Sequence, residues 1–297
     1  MVRLFDAAVA RRMAMMDEKT NAWRLMDGAG DGIEGVVMES FADRWLVSTT
    51  ANTLPDEMRR WLEKSGRSCY HKWLDSHQKE SPKHVCGPVS DDAFLILETG
   101  MQFEISFQSG YSQGLFLDQR MNRAALRKRV NAGQRVLNTF AYTGAFSVAA
   151  ALGGAETTTL DLSQPYLDWA KRNFSHNQLD SSQHHFCKGD AFHWLRRFAK
   201  QGRKFDGVVL DPPTFSRDDQ GRVFRVEQDF GELAKLAMAV LAPAGWLLCC
   251  TNFRGMSERD FHAQLSRSLP RGCAYHAAGM PDDFTDEPYL KTYWVER

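Results

Sequence analysis

The sequence predicts an α/β fold in which a mostly parallel, seven-stranded sheet covered by helices follows a small β-rich domain. From about residue 134, short apolar strand-like runs alternate with segments that carry apolar residues at helical spacing, as in a parallel sheet covered on both faces. The first 100 residues instead show short strand-like runs around a glycine-rich stretch at 28–32. We therefore predict an N-terminal α+β accessory domain over residues 1–100 and a Rossmann-like domain over 101–297.

The individual elements follow from the apolar patterns and from glycines that stop them. Strands of the second domain are predicted at 135–140, 157–161, 185–189, 207–211, 246–251, 274–278 and 289–295. Helices are predicted at 146–152, 166–177, 192–199, 230–241 and 258–269. The last two strands form a hairpin. In the first domain we predict a helix at 5–16 and paired strands at 35–38 and 45–48.

Composition excludes several classes of protein. Lys and Arg number 37, as do Asp and Glu, so the chain is not a polyelectrolyte and any nucleic-acid site must be a local patch. The apolar run at 236–250 is interrupted by Pro243 and Gly245 and is too short to span a membrane. Charges at Arg3 and Asp6 break the apolar segment that a signal peptide needs, so we expect a cytoplasmic protein. Six scattered cysteines predict free thiols and no metal site.

The turn after the first strand of the second domain, residues 138–144, reads Asn-Thr-Phe-Ala-Tyr-Thr-Gly and runs into an alanine-rich helix. Such a turn lets a ligand approach a helix N-terminus closely. A single glycine in place of G-x-G-x-x-G suits a nucleoside without a pyrophosphate, although a glycine in a strand-to-helix turn is common without any ligand.

Acidic residues end the next two strands. Asp161 lies at the spacing at which a carboxylate can accept both hydroxyls of a ribose. Asp190 lies where a carboxylate or a backbone amide can read an adenine edge. Each of them also fits a helix N-cap. Together with the turn at 138–144, they predict a nucleoside site at the carboxyl edge of the sheet.

The segment 211–215, Asp-Pro-Pro-Thr-Phe, follows the very apolar strand at 207–210. Its two prolines fix the backbone and remove two amide donors, so that carbonyls and the Asp211 carboxylate form a corner rich in acceptors. Phe215 offers a face on which a planar base can stack. The alternative is a proline turn that closes a buried strand.

These segments resemble the class I S-adenosylmethionine-dependent methyltransferases that act on large-subunit ribosomal RNA. The resemblance rests on residues 114–120 (GLFLDQR), 138–144 and 211–216. Residues 23–37 are similar to the β-rich domain that precedes the catalytic domain in the 23S rRNA cytosine-C5 branch, and that branch's PUA domain is not seen here. The resemblance implies S-adenosyl-L-methionine as cofactor, with Asp161 on the ribose, Asp190 near the adenine and three residues closing over the methionine end. The cofactor residues that it implies are Phe116, Asp118, Arg120, Asn138, Phe140, Tyr142, Thr143, Gly144, Asp161, Leu162, Asp190, Ala191 and Asp211.

The end of the fifth strand of this domain bears on the target base. Methylation at cytosine C5 needs a thiolate that first adds to C6, and the cytosine-C5 branch places that cysteine where this chain has Asn252. Cys249 and Cys250 come earlier and fit a buried strand. Residues 211–216, 226–229 and 251–252 look closer to the guanine-N7 half of the bifunctional 23S rRNA guanine methyltransferase. Catalytic roles are therefore predicted for Asp211, Pro212, Phe215 and Asn252.

A run without acidic residues, 120–135, predicts a helix whose arginines follow RNA phosphates, unless it is merely a solvated face. The residues predicted to contact RNA are Arg123, Arg127, Lys128 and Arg129. In the loop after Phe215, a clamp over a flipped base is predicted from Arg217, Arg222, Phe224 and Arg225.

The sequence thus favours a two-domain methyltransferase that modifies a nucleobase of 23S ribosomal RNA, with guanine N7 preferred over cytosine C5. Its partner would be naked ribosomal RNA or an assembling large ribosomal subunit, without membrane or metal, and the oligomeric state is left open. A small-molecule methyltransferase is the second hypothesis, favoured by the neutral net charge. A non-catalytic RNA-binding assembly factor with a relic cofactor site is the third.

Overall fold

A computed structural model describes residues 1–74, 80–90, 92–217, 221 and 223–297. The chain forms two compact units, one of residues 1–120 and 281–288 and one of residues 121–280 and 289–297. A division at residue 100, as predicted, would cut a hairpin in which Phe94 pairs with Ile105. The structure therefore differs from that prediction at this point and in the return of residues 281–288 to the first unit.

The first unit is built on a five-stranded sheet in the order β1-β2-β3-β4-β5, with a separate β6-β7 hairpin. Val37 of β2 lies opposite Ser48 of β3, which confirms the predicted pairing of these strands. The helix predicted at 5–16 begins and ends three residues earlier, and its Phe5 is fully buried. The elements are α1 (Val2–Met13), β1 (Ala22–Asp27), β2 (Val36–Phe41), β3 (Arg44–Thr49), α2 (Asp56–Ser65), β4 (Ser68–Trp73), β5 (Lys83–Cys86), β6 (Phe94–Glu98) and β7 (Met101–Ile105).

A buried ion pair and buried hydrogen bonds hold residues 281–288 within this unit. Asp283 is fully buried and accepts hydrogen bonds from the Arg120 guanidinium and from the backbone amide of Arg24. The buried Arg12 donates to the backbone oxygen of Asp283 at 3.0 Å and to Asp31 at 2.6 Å. Because removing one partner of a buried ion pair leaves an uncompensated charge, these residues depend on one another.

The second unit alternates strands and helices as predicted, after a helix that starts at the last residue of the first unit. Its elements are α3 (Arg120–Arg129), β8 (Arg135–Thr139), α4 (Ala145–Leu152), β9 (Glu156–Asp161), α5 (Gln164–His176), β10 (His185–Lys188), α6 (Ala191–Lys200), β11 (Phe205–Leu210), β12 (Phe215–Arg217), β13 (Val223–Arg225), α7 (Val226–Ala239), β14 (Leu241–Thr251), α8 (Glu258–Ser268), β15 (Ala274–Ala278) and β16 (Lys291–Glu296).

The sheet of this unit has seven strands in the order β10-β9-β8-β11-β14-β16-β15, which confirms the predicted fold class. Strands β8, β9, β10, β11 and β14 are parallel, and β16 runs antiparallel to both of its neighbours, β14 and β15. The chain order reverses between β8 and β11, where open α/β sheets bind ligands at the carboxyl ends of their strands. In the ranges given above, no helix is long and apolar enough to cross a membrane.

Two boundaries differ from the prediction. Helix α7 begins at Val226 rather than at residue 230, because the Asp229 carboxylate accepts the backbone amide of Arg225 at 2.7 Å and closes the first turn. Leu241 belongs to β14 and not to this helix. The predicted loop after Phe215 contains a short hairpin of β12 and β13, in which Ser216 pairs with Phe224.

Candidate functional site

The turn between β8 and α4 has a backbone that ordinary residues rarely adopt. Phe140 has φ of 52°, Tyr142 has φ of 51°, and Gly144, the N-cap of α4, has φ of 76°. Two non-glycine residues in the left-handed region within three positions are a cost that the surroundings must offset, and such residues cluster at functional sites. At Gly144 a Cβ would lie 2.6 Å from the Cβ of Ala170, so glycine also permits the close approach of α5.

Asp161 fixes this turn through hydrogen bonds from the backbone. Its Oδ2 accepts the Tyr142 amide at 2.8 Å, and its Oδ1 accepts the Ser163 amide at 2.9 Å. Burial raises the pKa of Asp161, and the amides of Ser163, Tyr142 and Leu162 oppose that shift. Each carboxylate oxygen can accept more than one hydrogen bond, so the group is held in place while it keeps acceptor capacity for hydroxyls.

A buried polar network supports the same turn from behind. The Asn138 amide and the Thr159 hydroxyl both donate to the Ser147 hydroxyl, at 3.0 and 2.8 Å. The Asn173 amide donates to the Thr143 backbone oxygen at 2.9 Å. The side chain of Asn138, a predicted cofactor residue, is 2% exposed and joins β8 to α4. Its contact with the cofactor stays a prediction. The network was missed because nothing in the sequence marks Ser147, Thr159 or Asn173 as neighbours.

A cleft beside the turn brings three of the predicted cofactor residues together. It is narrow and opens to solvent. The predicted residues Phe140, Leu162 and Asp190 line it together with Phe192, Ser216, Val223, Phe224 and Asp229. Asp190 is also the N-cap of α6, because its Oδ1 accepts the His193 amide at 2.8 Å, and the buried Ala191 begins that helix. Apolar faces with a carboxylate at one side fit a flat, amino-bearing ring.

Phe224 is the lining residue whose role the sequence suggested wrongly. It was predicted to belong to an exposed clamp, but it is 6% exposed and its ring lies 6.0 Å from that of Phe140 and 5.9 Å from that of Phe192. The pairing of β12 with β13 turns Phe224 inward. The prediction of an irregular loop after Phe215 gives no direction for this side chain. Of the other clamp residues, Arg225 lies over the Phe215 ring at 5.4 Å, Arg217 ends β12, and Arg222 lies outside the described residues.

Two side chains near the ends of β11 and β14, those of Phe215 and Asn252, are exposed. Asp211 and Pro212 follow β11 directly, and Phe215 is 49% exposed. Asn252, directly after β14, is exposed. All the parallel strands end at one edge, so these groups lie at the same edge as Asp161 and Asp190.

The cysteines of β14 are both inaccessible. Cys249 and Cys250 are 0% exposed and lie in different apolar clusters, one on each face of the sheet. Burial raises the pKa of the Cys249 thiol, and the Thr292 hydroxyl donates to Cys250. The prediction that they are core residues agrees with this burial.

The three residues predicted over the methionine end belong to the first unit and are described within it. Phe116 is 49% exposed, and Asp118 is buried in a turn of 3₁₀ helix at Leu117–Gln119. Their proposed roles stay predictions. Arg120 is buried, pairs with Asp283, donates to the Ala22 backbone oxygen and lies 4.3 Å from the Trp23 ring centre. Because its donors serve this network, we leave Arg120 out of the cofactor site.

Helix α3 does not present the arginine face that the sequence predicted. Arg123 is 2% exposed and lies over the Phe146 ring, Arg127 is half-buried, and Arg129 pairs with Glu296. Lys128 remains exposed. Burial takes Arg123 out of any phosphate-binding face, and the Arg129 charge is paired although its side chain is exposed. The RNA contacts of Arg127, Lys128 and Arg129 stay predictions.

Comparisons with known proteins identify the type of enzyme. A Bacillus subtilis protein with the provisional name ribosomal RNA large subunit methyltransferase YwbD is 33% identical over 296 residues, which are 95% of this chain and 74% of that protein. Ribosomal RNA large subunit methyltransferase I of Yersinia pseudotuberculosis is 35% identical over 83% of this chain. The chain spans 64% of that relative's length.

A solved structure agrees with these relatives. The crystal structure of SMU.776, provisionally named a methyltransferase and complexed with SAH, has a TM-score of 0.91 and 29% identity, and covers 100% of this chain and 80% of its own. The model of the S-adenosylmethionine-dependent methyltransferase family matches residues 59–286. The turn at 140–144, the strand-end carboxylates and the flat cleft fit the nucleoside part of that cofactor. This chain belongs to the family of S-adenosylmethionine-dependent methyltransferases.

Proposed function

We propose that the protein transfers the methyl group of S-adenosylmethionine to a nucleobase of large-subunit ribosomal RNA, and that the atom methylated is guanine N7. The RNA substrate is supported by the names of the Bacillus and Yersinia relatives. The choice of atom rests on one observation, the exposed Asn252 at a strand end whose two nearby cysteines are fully buried.

The first half of the edge would bind the cofactor. The Asp161 carboxylate accepts the ribose hydroxyls, because it is already oriented by the amides of Tyr142 and Ser163. Phe140 and Leu162 contact the faces of the adenine ring, and Asp190 accepts from its amino group at the side of the cleft. When bound, the cofactor supplies a methyl group on a positively charged sulfur.

The second half of the edge would position the base. Guanine N7 carries an exposed lone pair, so the transfer needs in-line alignment and no covalent attachment to the protein. The Asn252 amide donates to the guanine O6 beside N7, and the exposed Phe215 ring stacks on the base. Asp211 and Pro212 shape the wall that follows β11.

Cytosine C5 would require different chemistry. A thiolate has to add to C6 before C5 becomes nucleophilic, and a thiolate forms readily only where the thiol pKa is lowered. Burial raises the pKa of Cys249, and neither Cys249 nor Cys250 has exposed surface. These surroundings support N7 over C5.

The test is to incubate the purified protein with S-adenosylmethionine and 23S ribosomal RNA from a strain that lacks its gene, and to digest the RNA for mass spectrometry. We expect 7-methylguanosine to appear at one position that is already modified in the parent strain. New 5-methylcytidine would replace N7 by C5 as the target. No new modification, on RNA or on assembled subunits, by protein that binds S-adenosylhomocysteine would contradict the RNA substrate.

A further inference from the structure

Helix α6 carries a basic face outside the residues predicted to contact RNA. Its buried side is apolar, with Phe192, Leu195 and Phe198 all at most 2% exposed. On the other side the exposed residues include Arg197 and Lys200. Residues three and four apart share a helix face, so the side that leaves the core is the side that carries the charge.

Contacts join this face to the end of strand β10. The Trp194 indole nitrogen donates to the Lys188 backbone oxygen at 3.0 Å, and the Arg197 guanidinium lies 4.9 Å from the centre of the Trp194 rings. Lys188 is exposed and Trp194 is half-buried. We call Lys188, Trp194, Arg197 and Lys200 the α6 patch.

A further arginine lies behind the patch. Arg203 is half-buried, donates to the Thr158 hydroxyl at 3.0 Å and lies over the rings of Phe198 and Phe205. The positive charges of Arg203 and Arg197 both oppose the burial that raises the pKa of the Cys187 thiol. Both guanidinium groups therefore lie close to β10 and add to the positive potential at this end of the sheet.

Within the part of the chain that the structure describes, no ion pair neutralises the charges of the patch. Over the described ranges, no carboxylate lies within salt-bridge distance of Lys188, Arg197 or Lys200, whereas the neighbouring Arg196 pairs with Glu232. Three unpaired cations around an aromatic ring in a chain of zero net charge attract a polyanion, and the ring adds a surface on which a base or a guanidinium can stack.

The position of the patch connects it to the candidate site. Lys188 ends β10 at the carboxyl edge, next to Asp190, which lines the cleft and caps α6. From that edge the helix carries the patch over about 15 Å. A strand of RNA whose base enters at the edge can continue along α6 with its phosphates on these cations.

We propose that the α6 patch binds the phosphate backbone of the RNA substrate next to the methylated nucleotide. This inference rests on the proposed function. It replaces the α3 arginines by Lys188, Arg197 and Lys200 as the phosphate contacts, with Trp194 as the rigid support between them.

The test compares two charge-matched triple variants of the full chain. The patch variant carries Lys188→Gln, Arg197→Gln and Lys200→Gln, and the control carries Arg259→Gln, Arg267→Gln and Arg271→Gln on or just after α8, all of them exposed. Binding of fluorescent 23S ribosomal RNA transcripts is measured over a series of KCl concentrations. For the patch variant we expect at least tenfold weaker binding, and a salt slope lower by about 0.7 per lost contact, or about 2 in all. The control should keep the wild-type slope.

Calorimetry with S-adenosylhomocysteine must give both variants the wild-type affinity, which shows that the fold and the cofactor site are intact. If the patch variant and the control bind RNA alike while the wild type methylates it, the α6 patch is overturned and the proposed function stands. If the wild type binds cofactor but no RNA, the α6 patch and the proposed function are both wrong. A patch variant that binds RNA normally but loses an acidic protein partner would assign the patch to that class of ligand and likewise overturn the inference.

Discussion

The two halves of the carboxyl edge are built differently. At the ends of β8, β9 and β10, polar groups are fixed by the backbone, as with Asp161 between the Tyr142 and Ser163 amides and Asp190 on the His193 amide. At the ends of β11 and β14, Phe215 and Asn252 are exposed. The first half is organised in advance, whereas the side chains of the second half are open to solvent.

This difference matches the ligands that we propose for each half. A small cofactor gains affinity when its contacts are already in place, since little entropy is lost on binding. A base in a large RNA has to be brought in and turned, so its contacts remain open in the free protein. Variants of the first half should therefore change cofactor affinity, and variants of the second should change transfer to RNA.

The largest effect is expected from the hairpin of β12 and β13. Its Phe224 lines the cofactor half of the edge, and its Phe215 belongs to the RNA half. Phe224→Ala should lower the free energy of unfolding by about 3 kcal/mol and weaken cofactor binding, because the ring packs between Phe140 and Phe192. Phe215→Ala is the matched control, since its ring is 49% exposed. It should unfold like the wild type in urea and lose only RNA methylation. Equal losses of stability would contradict the assignment of the two rings.

An effect of similar size, on cofactor binding alone, should come from Asp161. Asp161→Ala should weaken binding of S-adenosylhomocysteine by about 2 to 4 kcal/mol in calorimetry, because two charge-assisted hydrogen bonds to the ribose are lost. Asp168→Ala, which removes an exposed carboxylate from the following helix, should leave that affinity unchanged. Unchanged affinity in Asp161→Ala itself would remove the ribose contact from the site.

Asn252 tests the open half. Asn252→Ala should lower kcat/KM on RNA, because the activation free energy should rise by about 1 to 3 kcal/mol. That is the contribution of a specific hydrogen bond to a base edge. Affinity for S-adenosylhomocysteine and the melting temperature should not change, because the side chain is exposed. Asn252→Asp should be at least as damaging, since a carboxylate cannot donate to guanine O6. A loss of cofactor affinity in these variants would contradict the assignment of Asn252 to RNA alone.

The smallest effect on turnover is expected from the buried cysteines. A variant with Cys249→Ala and Cys250→Ala should keep methyl transfer within about tenfold of the wild type and lose mainly packing stability. A loss of several orders of magnitude in folded, cofactor-binding protein would restore cytosine C5 as the target. A covalent adduct on RNA that contains 5-fluorocytosine would do the same.

The two basic helices show what a sequence can and cannot say about charge. Both α3 and α6 contain several cations, and the lack of acidic residues at 120–135 predicts RNA contacts there, although residues 191–200 contain no acidic residue either. In the structure Arg123 of α3 is among the largest fully buried side chains, whereas Arg197 of α6 is exposed. The difference comes from distant partners, such as Phe146 beneath Arg123 and Glu296 beside Arg129.

The sequence by itself determined the sheet strands and most helices of the second unit and the edge at which they meet, but not the hairpin of β12 and β13. The spacing of apolar residues and the positions of turn residues depend only on neighbouring parts of the chain. The candidate residues Asp161, Asp190, Asp211 and Asn252 can therefore be found from where each apolar run stops. Tertiary structure alone decided which side chains face the cleft, that Phe224 turns inward and that residues 281–288 join Arg12 and Arg120 in the first unit. These outcomes depend on pairs far apart in the chain, whose burial and ion pairing no local pattern encodes.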